Sequence, residues 1–345
     1  MYSSSFSPAF KQNNVPVVVA ANNLYAPYTG VFIQSLLDHA SEGNNYDIII
    51  LNRDISEENK RLLESIGAEH ANISVRFYDP NPLFASFDFS YDDETRPFPI
   101  EVLYRIIAPH ILNYPGRIIT VDVDTLLQTD IARLMDADLE GCCVGGVGDV
   151  IANGMYLYDH VSFSLNMEAR DYFQNVCGFG LDDLKNYVSA GLLLFDRDKY
   201  IRELDMETII NTARQSKYVL PEQDILNILM KDKIKRLDFA WNVPLPLNQR
   251  LAKLIEAGSK SYDGAYKQAY EHPYLLHWAG KPKPWVCPDV PYGNEWWQTA
   301  LKTPFVGHII ARMLDAQEKR RAYYRERYGK EVDVWELSPK GIDRT

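Results

Sequence analysis

The amino-terminal part of the chain alternates between short apolar runs and amphipathic stretches, and this alternation constrains the fold most. Residues 15–21 (VPVVVAA), 46–52 (YDIIILN) and 72–78 (NISVRFY) are rich in β-branched residues and predict three strands. Between them, residues 29–40 carry apolar side chains at helical spacing, and Ser56 can cap a second helix. A β-α-β-α-β order predicts an α/β fold, with a parallel sheet covered by helices.

The rest of the chain predicts further elements of the same kind. Strands are expected at residues 117–121, 142–147 and 191–195, and helices at 100–113, from 197, from Pro221 and near 303–328. Residues 79–99 predict a long irregular loop, and the chain beyond Pro273 is expected to be loop-like until the last helix. We therefore expect a flexible stretch at 1–14, one main domain at 15–300 and a helical tail at 301–345.

The charge balance excludes one large class of function. The 345 residues include 36 Lys and Arg against 47 Asp and Glu, which gives a net charge of −11. A protein that binds duplex nucleic acid needs a basic face, so no nucleic-acid partner is expected. An anionic ligand would have to be held by a few placed side chains or by a metal ion.

Cysteine content and hydropathy predict the compartment. Cys142, Cys143, Cys177 and Cys287 are too few for a disulfide scaffold and match no zinc motif, so free thiols in the cytoplasm are expected. The amino terminus lacks the apolar core of a signal peptide, and no apolar run approaches the ~18 residues that cross a bilayer. Neither a secreted nor an integral membrane protein is expected.

The segment RIITVDVDTLL carries the first candidate site. A buried strand ends at Val121, and Asp122 and Asp124 follow it at the sheet edge where ligands bind. Two carboxylates this close repel each other unless a cation joins them, and Mg²⁺ or Mn²⁺ prefers such oxygen ligands together with phosphate oxygens. One alternative is a pair of aspartates that cap the next turn. Another is a haloacid-dehalogenase-type phosphatase with Asp122 as the phosphoryl acceptor, although that motif usually lies near the start of its chain.

The segment HWAGKPKPW is the second candidate. His277 lies close to Lys281 and Lys283 in a stretch held by prolines and a glycine. Imidazole is a good ligand for Mn²⁺, and lysine offers a point charge to phosphate oxygens. A lone histidine is more often structural, but the clustering with glycine and lysine favours a function.

Two further polar segments adjoin predicted elements. LPEQDILN places Glu222, Gln223 and Asp224 at a helix start, where acidic groups are favoured by the helix dipole or could face a substrate sugar. AANNLYAPY follows the first strand, and its amides and Tyr25 suit either a nucleoside pocket or an ordinary Asn-rich turn.

Six segments, taken together and in this order, resemble glycosyltransferase family 8, the retaining sugar-nucleotide enzymes of the GT-A fold. They are VVVAANNLYAPY, VLYRIIAPHIL, RIITVDVDTLL, YVSAGLLLFD, PEQDILN and HWAGKPKPW, and they extend from residue 15 to residue 285. The members that look most similar are bacterial lipopolysaccharide α-galactosyl- and α-glucosyltransferases. The resemblance implies a mostly parallel mixed sheet flanked by helices with a helical carboxyl-terminal elaboration, whereas the phosphatase interpretation predicts none of the other segments.

The resemblance also implies a role for each matching residue. Asp122, Asp124 and His277 would hold Mn²⁺ or Mg²⁺ at the phosphates of a UDP-sugar donor, and Lys283 and the Gly280 backbone would contact the diphosphate. Asn22, Asn23 and Tyr25 would line the uridine pocket, and Arg105 would reach the donor sugar or phosphate. The donor and acceptor sugars would be surrounded by Asp149, Ser189, Ala190, Gly191, Glu222, Gln223 and Asp224, with Asp149, Glu222 and Gln223 nearest the reacting carbon.

The sequence departs from the family pattern at nucleoside and sugar contacts and not at the metal ligands. Asn22 stands where Asp is common, Leu24 where a polar residue contacts ribose, Ser189 where Asn is usual and Glu222 where Asp is frequent. The Asn22 carbonyl oxygen can still accept a hydrogen bond from uracil N3–H. These changes bear on the choice of donor more than on the reaction, in which a metal and Lys283 neutralise charge on the departing diphosphate.

The predicted activity is transfer of galactose or glucose to a saccharide or glycolipid acceptor, in the synthesis of lipopolysaccharide or another cell-surface polysaccharide. A further alternative is a non-catalytic nucleotide-sugar-binding protein, with Ser189 and Leu24 as signs of lost catalysis.

The last predicted helix is rich in basic residues. Residues 312–330 contain seven Lys and Arg but only three Asp and Glu. This helix suits either peripheral contact with the anionic inner membrane surface or a solvated, salt-bridged face. The sequence predicts no oligomeric state.

Overall fold

The computed structural model describes residues 6–328 except 88, 90–98, 159–161, 164–166 and 216. The strands in these ranges are β1 Asn14–Ala20, β2 Asn45–Leu51, β3 Ile73–Tyr78, β4 Arg117–Val121, β5 Thr125–Leu127, β6 Val144–Gly148, β7 Ser162–Phe163, β8 Met167–Glu168, β9 Val188–Asp196, β10 Ile234–Arg236, β11 Val243–Pro244 and β12 Leu275–His277. The α-helices are α1 Ala26–Leu37, α2 Glu57–Gly67, α3 Asn81–Ser86, α4 Glu101–Ile111, α5 Val150–Leu157, α6 Ala169–Asp171, α7 Leu181–Leu184, α8 Arg197–Glu203, α9 Met206–Arg214, α10 Pro221–Leu229, α11 Gln249–Ser259, α12 Ala265–Glu271, α13 Gly293–Ala300 and α14 Val306–Tyr328.

A seven-stranded sheet in the order β10-β6-β9-β4-β1-β2-β3 forms the centre of the fold. β1 is parallel to β2 and β4, β2 to β3, and β6 to β10. β9 runs antiparallel to both of its neighbours, β4 and β6. The amino end of β9 therefore lies at the edge where β1, β4 and β6 end. The mostly parallel α/β sheet predicted from the sequence is confirmed.

Both faces of this sheet are covered by helices, which explains the continuous apolar run in β1. Successive side chains of a strand point to opposite faces. Val17 and Val19 pack in the core on one face with α1, while Val18 packs in the core on the other face with α4, and all three are fully buried.

A second, three-stranded sheet in the order β11-β12-β5 lies beyond the end of β4. β12 pairs in parallel with β11 and antiparallel with β5, with His277 opposite Thr125. The prediction of a loop-like chain beyond Pro273 was therefore wrong, because this stretch contains β12 and α13. β12 has only three residues, which is too short for periodicity to reveal a strand.

Two stretches that were predicted to lack regular structure contain a helix or tertiary hydrogen bonds. The predicted loop at 79–99 contains α3, while residues 88 and 90–98 lie outside the described residues. At the amino terminus, within the stretch predicted to be flexible, the Ala9 amide donates to Asp47 at 3.1 Å and to the Tyr114 hydroxyl at 3.3 Å.

All four cysteines are free thiols, as expected. Among the helices that the structure describes, none combines the length and apolar character needed to cross a bilayer.

Helices α5 and α11 cross in backbone contact, and two glycines allow it. A Cβ added at Gly154 would lie 2.0 Å from the Leu254 carbonyl oxygen, and one at Gly258 would lie 1.8 Å from that of Val150. Backbone cannot move aside as a flexible side chain can, so Gly154→Ala must push the helices apart.

We expect Gly154→Ala to lower the free energy of unfolding by about 3 kcal/mol, the upper end of the usual cost of overpacking. Urea denaturation of the full chain measures this, with Gly43→Ala as the control because a Cβ there meets no atom within 4 Å. Equal urea midpoints for the two variants would contradict the observed crossing.

Candidate functional site

A cavity of about 630 Å³ opens at the edge of the central sheet where β1, β4 and β6 end. Its lining comes from the residues after these strands, the amino end of β9, and segments around β12 and α11. The acidic lining residues are Glu101, Asp122, Asp124, Asp149 and Glu222, and the basic ones are Arg105, Arg250, Lys281 and Lys283. Charged groups of both signs thus converge on one concave surface.

Asp122, Asp124 and His277 meet at the floor of this cavity. The His277 Nε2 atom lies 3.7 Å from Asp122 Oδ2 and 3.4 Å from Asp124 Oδ1. One ligand atom from each residue lies within 4.8 Å of the others. Two carboxylate oxygens and one imidazole nitrogen are a donor set that suits Mn²⁺ or Mg²⁺. The structure therefore brings together the three residues that the resemblance names as metal ligands.

Strand pairing brings His277 to the aspartates from far along the chain. β12 places His277 opposite Thr125, and the next amide, that of Trp278, donates to the Asp124 carbonyl oxygen at 3.1 Å. On the other side, the amide of Asp122 donates to the Gly191 carbonyl oxygen at 2.9 Å. Backbone bonds thus fix the carboxylates relative to both β9 and β12.

The imidazole of His277 is held in one orientation. Its Nδ1 atom lies 2.8 Å from Asn242 Oδ1. Because an amide oxygen can only accept, Nδ1 carries the proton of the neutral ring, and the lone pair of Nε2 faces the carboxylates. A Cβ at Gly191 would lie 2.5 Å from His277 Cε1 and 3.0 Å from Asn242 Nδ2. Gly191 is therefore required to leave room for the ring. Sequence reasoning missed Asn242, since a single amide between two short elements gives no pattern.

Basic side chains neutralise the two aspartates in the structure. Lys283 forms an ion pair with Asp124 and also donates to the Trp278 carbonyl oxygen, and Arg105 forms an ion pair with Asp122. Burial works to raise the pKa of Asp124, but the Lys283 ammonium beside it holds that pKa well below its usual range. Asp124 is therefore ionised, as a cation ligand must be.

Arg105 links the acidic floor to the start of α10. Its second terminal nitrogen, Nη2, donates to Glu222 Oε1 at 2.8 Å, and the residue is 5% exposed. A planar guanidinium that binds two carboxylates at once keeps a fixed position. Arg105 and Glu222 both line the cavity, where the resemblance places the donor sugar.

Gln223 and Asp149 form a rigid pair beside these residues. The Gln223 amide nitrogen donates to Asp149 Oδ2 at 2.7 Å, and its carbonyl oxygen accepts from the Ala190 amide at 2.9 Å. Asp149 Oδ1 caps α5 by accepting from the Ile151 and Ala152 amides. Burial raises the pKa of Asp149. Both residues line the cavity.

Asp224 lies behind the cavity wall rather than in its lining. Its carboxylate accepts hydrogen bonds from the hydroxyls of Tyr172 and Tyr187, each at 2.5 Å, and from the Leu220 amide at 2.9 Å. Burial raises its pKa to about 6, although both tyrosine hydroxyls favour the ionised form. Asp224 therefore helps to position Gln223 through Tyr187, whose hydroxyl also accepts from the Gln223 amide nitrogen at 3.3 Å.

Of the three predicted residues in the segment after β1, two line the cavity and one faces α2. Asn22 and Tyr25 line the cavity, and the Tyr25 amide donates to Asn22 Oδ1 at 3.1 Å. The Asn23 side chain is directed to α2, where Oδ1 accepts from the Ser56 amide at 3.0 Å and from Asn59 Nδ2 at 2.7 Å. Asn23 therefore joins β1 to the start of α2 and is not among the lining residues.

The remaining predicted residues lie in the lining. They are Ser189, Ala190, Gly191 and Gly280. Ser189 Oγ accepts from the Gly191 amide at 3.2 Å. Gly280 has φ +135°, a conformation that L side chains rarely adopt, so glycine is needed for the turn that leads to Lys283. Sequence reasoning missed Glu101 and Arg250, whose approach to the cavity depends on the packing of α4 and α11.

Comparison with known proteins identifies the family. A family model described as glycosyl transferase family 8 matches residues 16–287. The chain belongs to this family. It is 26% identical over 286 residues to the glycosyltransferase GlyF of Streptococcus pneumoniae serotype 4, covering 81% of this chain and 60% of GlyF. It is 23% identical over 199 residues to the lipopolysaccharide 1,2-glucosyltransferase of Escherichia coli K12, covering 55% of this chain and 51% of that enzyme. The chain thus spans only part of the length of these curated relatives.

Solved structures confirm the GT-A fold. The apo structure of the bifunctional glycosyltransferase WbbM superposes with a TM-score of 0.78 at 25% identity, covering 90% of this chain and 53% of WbbM. The galactosyltransferase LgtC, solved with donor and acceptor sugar analogues, superposes with a TM-score of 0.64 at 20% identity, covering 84% of this chain and 96% of LgtC. Neither the family match nor these structures favour the phosphatase alternative.

Proposed function

We propose that the chain is a metal-dependent retaining glycosyltransferase that moves a hexose, galactose or glucose, from a UDP-sugar to a saccharide or glycolipid acceptor. The observation that carries the proposal is the convergence of Asp122, Asp124 and His277 on one cavity with Lys283 beside them. Membership of glycosyl transferase family 8 supports the same reaction.

Asp122, Asp124 and His277 fit a divalent cation, because their three ligand atoms face one another and Asn242 fixes the tautomer of the imidazole. A bound Mn²⁺ or Mg²⁺ supplies positive charge that neutralises the diphosphate leaving group. Lys283, now paired with Asp124, offers its ammonium to the same phosphate oxygens. Arg105 keeps Asp122 and Glu222 in place from the sugar side.

The residues nearest the reacting carbon are Asp149, Glu222 and Gln223. Gln223 has both ends of its amide fixed, by Ala190 and by Asp149, so it presents a rigid polar surface to the donor sugar. Nearby carboxylates and amides stabilise an oxocarbenium-like sugar. Attack from the face of the departing phosphate, whose oxygen takes the proton of the acceptor, gives retention and needs no protein base.

The nucleoside is proposed to lie against Asn22 and Tyr25. Burial raises the pKa of Tyr25, so its ring is neutral at physiological pH and can stack on a base. Tyr25 is braced by edge contacts with Tyr28 and Trp285, at 5.6 Å and 6.1 Å between ring centroids. These contacts support a nucleobase stacked on Tyr25, and uracil is proposed because the Asn22 carbonyl oxygen can accept a hydrogen bond from its N3–H.

A cytoplasmic enzyme at the inner membrane surface is part of the proposal. The support is the cationic helix α14, in which Arg321, Arg325 and Arg327 lie near its carboxyl end. Lys319 pairs with Asp315 at 2.8 Å, which fits a solvated face as well. Lipid-linked acceptors would be the reason for such a contact.

Turnover of nucleotide sugars tests the proposal. The full chain is incubated with UDP-glucose or UDP-galactose and Mn²⁺ or Mg²⁺, and UDP release and sugar transfer are measured. We expect release with at least one donor, loss of release with EDTA, and recovery when excess Mn²⁺ is added. UDP binding by calorimetry without any turnover would favour the non-catalytic alternative, and metal-dependent hydrolysis of p-nitrophenyl phosphate alone would favour a phosphatase.

A further inference from the structure

Two of the four basic residues that line the cavity are not used by its acidic floor. Arg105 and Lys283 are paired with Asp122 and Asp124. Within the described part of the chain, neither Arg250 nor Lys281 has a carboxylate within ion-pair distance, and both side chains are exposed to the cavity mouth. Two unpaired cations at the mouth of a binding cavity attract an anion.

The backbone segments that carry these two residues meet at the start of α11. Asn248 caps α11 by accepting from the Leu251 amide at 2.8 Å, and its amide nitrogen donates to the Lys281 carbonyl oxygen at 2.8 Å. A Cβ at Gly280 would lie 3.5 Å from Leu251 Cδ2. The segment with Lys281 therefore lies directly against the first turn of α11, which carries Arg250.

The cavity wall next to this rim is apolar and rigid. It consists of Ile151 and Met155 from α5 with Leu251 and Leu254 from α11. These helices are in backbone contact, so the wall keeps its position.

We propose that Arg250 and Lys281 bind a phosphate or carboxylate group carried by the acceptor, whose sugar packs on the apolar wall of α5 and α11. The acceptor is thus an anionic saccharide. A guanidinium binds such groups through two parallel hydrogen bonds, and the lysine adds a point charge. The proposal rests on the proposed function, in which the donor diphosphate is bound by Lys283 and the metal ligands, which leaves the rim to the second substrate.

Ligand-observed saturation-transfer NMR on the full chain, saturated with UDP and Mg²⁺, tests this. The probes are methyl β-galactoside, galactose 6-phosphate and galacturonate, compared by their dissociation constants. We expect at least one anionic sugar to bind tenfold or more tightly than the neutral one. Arg250→Ala and Lys281→Ala should each remove most of this preference, while Lys253→Ala, which removes an exposed charge from α11 outside the cavity lining, should keep it.

Calorimetry with UDP and Mg²⁺ on the same variants separates the two substrates. The proposal predicts a dissociation constant for UDP within twofold of wild type in both rim variants. No preference for either anionic sugar, including no binding of any of them, would overturn the anionic acceptor. A tenfold loss of UDP affinity in the rim variants would assign the cations to the donor instead and leave the proposed function intact. Failure of the wild-type protein to bind UDP would overturn the proposed function itself.

Discussion

Asp124→Ala is expected to lower sugar transfer from a UDP-sugar by about a thousandfold, because one group of an electrostatic clamp on the departing charge is lost. Asp124 contributes twice, as a proposed metal ligand and as the partner that positions Lys283. Both contributions act on the diphosphate, so the affinity for UDP with Mn²⁺ should fall together with the rate.

The fold should survive this substitution. The side chains of Asp124 and Lys283 are 17% and 16% exposed, so an unpaired Lys283 can still reach water. UDP with Mn²⁺ should raise the midpoint of thermal unfolding of the wild-type protein, and this increase should disappear in Asp124→Ala. It should persist in Asp171→Ala, which changes an exposed aspartate outside the cavity. Unchanged turnover in a folded Asp124→Ala variant would refute the metal assignment.

Gly191→Ala is expected to lower transfer by at least about a hundredfold although Gly191 carries no chemical group. The new Cβ would lie 2.5 Å from His277 Cε1 and 2.6 Å from Nδ1, so the ring must swing away from the aspartates. His277 is 5% exposed and is held by Asn242, which leaves little room for a small adjustment. We expect weaker Mn²⁺ binding and a loss of about 1–3 kcal/mol in the free energy of unfolding.

A double-mutant cycle distinguishes this effect from general damage. If Gly191→Ala acts through the imidazole, it should change transfer little in a His277→Ala background, where the ring is absent. Gly307→Ala is the matched control, because a Cβ there meets no atom within 4 Å. Equal losses from Gly191→Ala with and without His277 would show that the glycine matters for another reason.

The sequence predicts the parts of the site that depend on strand ends. A parallel sheet brings the residues after β1 and β4 to one edge, so the order of predicted strands and helices is enough to place Asn22 and Asp122 there, whereas Asp149 was expected only from the family resemblance. The carboxylate pair after β4 is informative because two unpaired aspartates at such an edge need a cation. The apolar run in β9 predicts neither its position in the sheet nor its direction, because a buried strand has the same apolar pattern in a parallel and an antiparallel pair.

The parts that sequence reasoning missed depend on contacts between distant segments. Asn242 holds His277, but only the pairing of β11 with β12 brings the two together. Asn23 and Asp224 adjoin residues of the cavity in the sequence, yet Asn23 faces α2 and Asp224 faces two buried tyrosines. Adjacent residues of a loop or helix point in different directions, and a motif does not say which of them faces the ligand.

A crystal soaked with MnCl₂ and UDP, with data collected at the manganese absorption edge, tests the central claim most directly. We expect one strong anomalous peak within bonding distance of Asp122, Asp124 and His277, with Lys283 turned from Asp124 towards the diphosphate. A peak elsewhere, or UDP bound in the cavity with His277 directed away from both aspartates, would contradict the account.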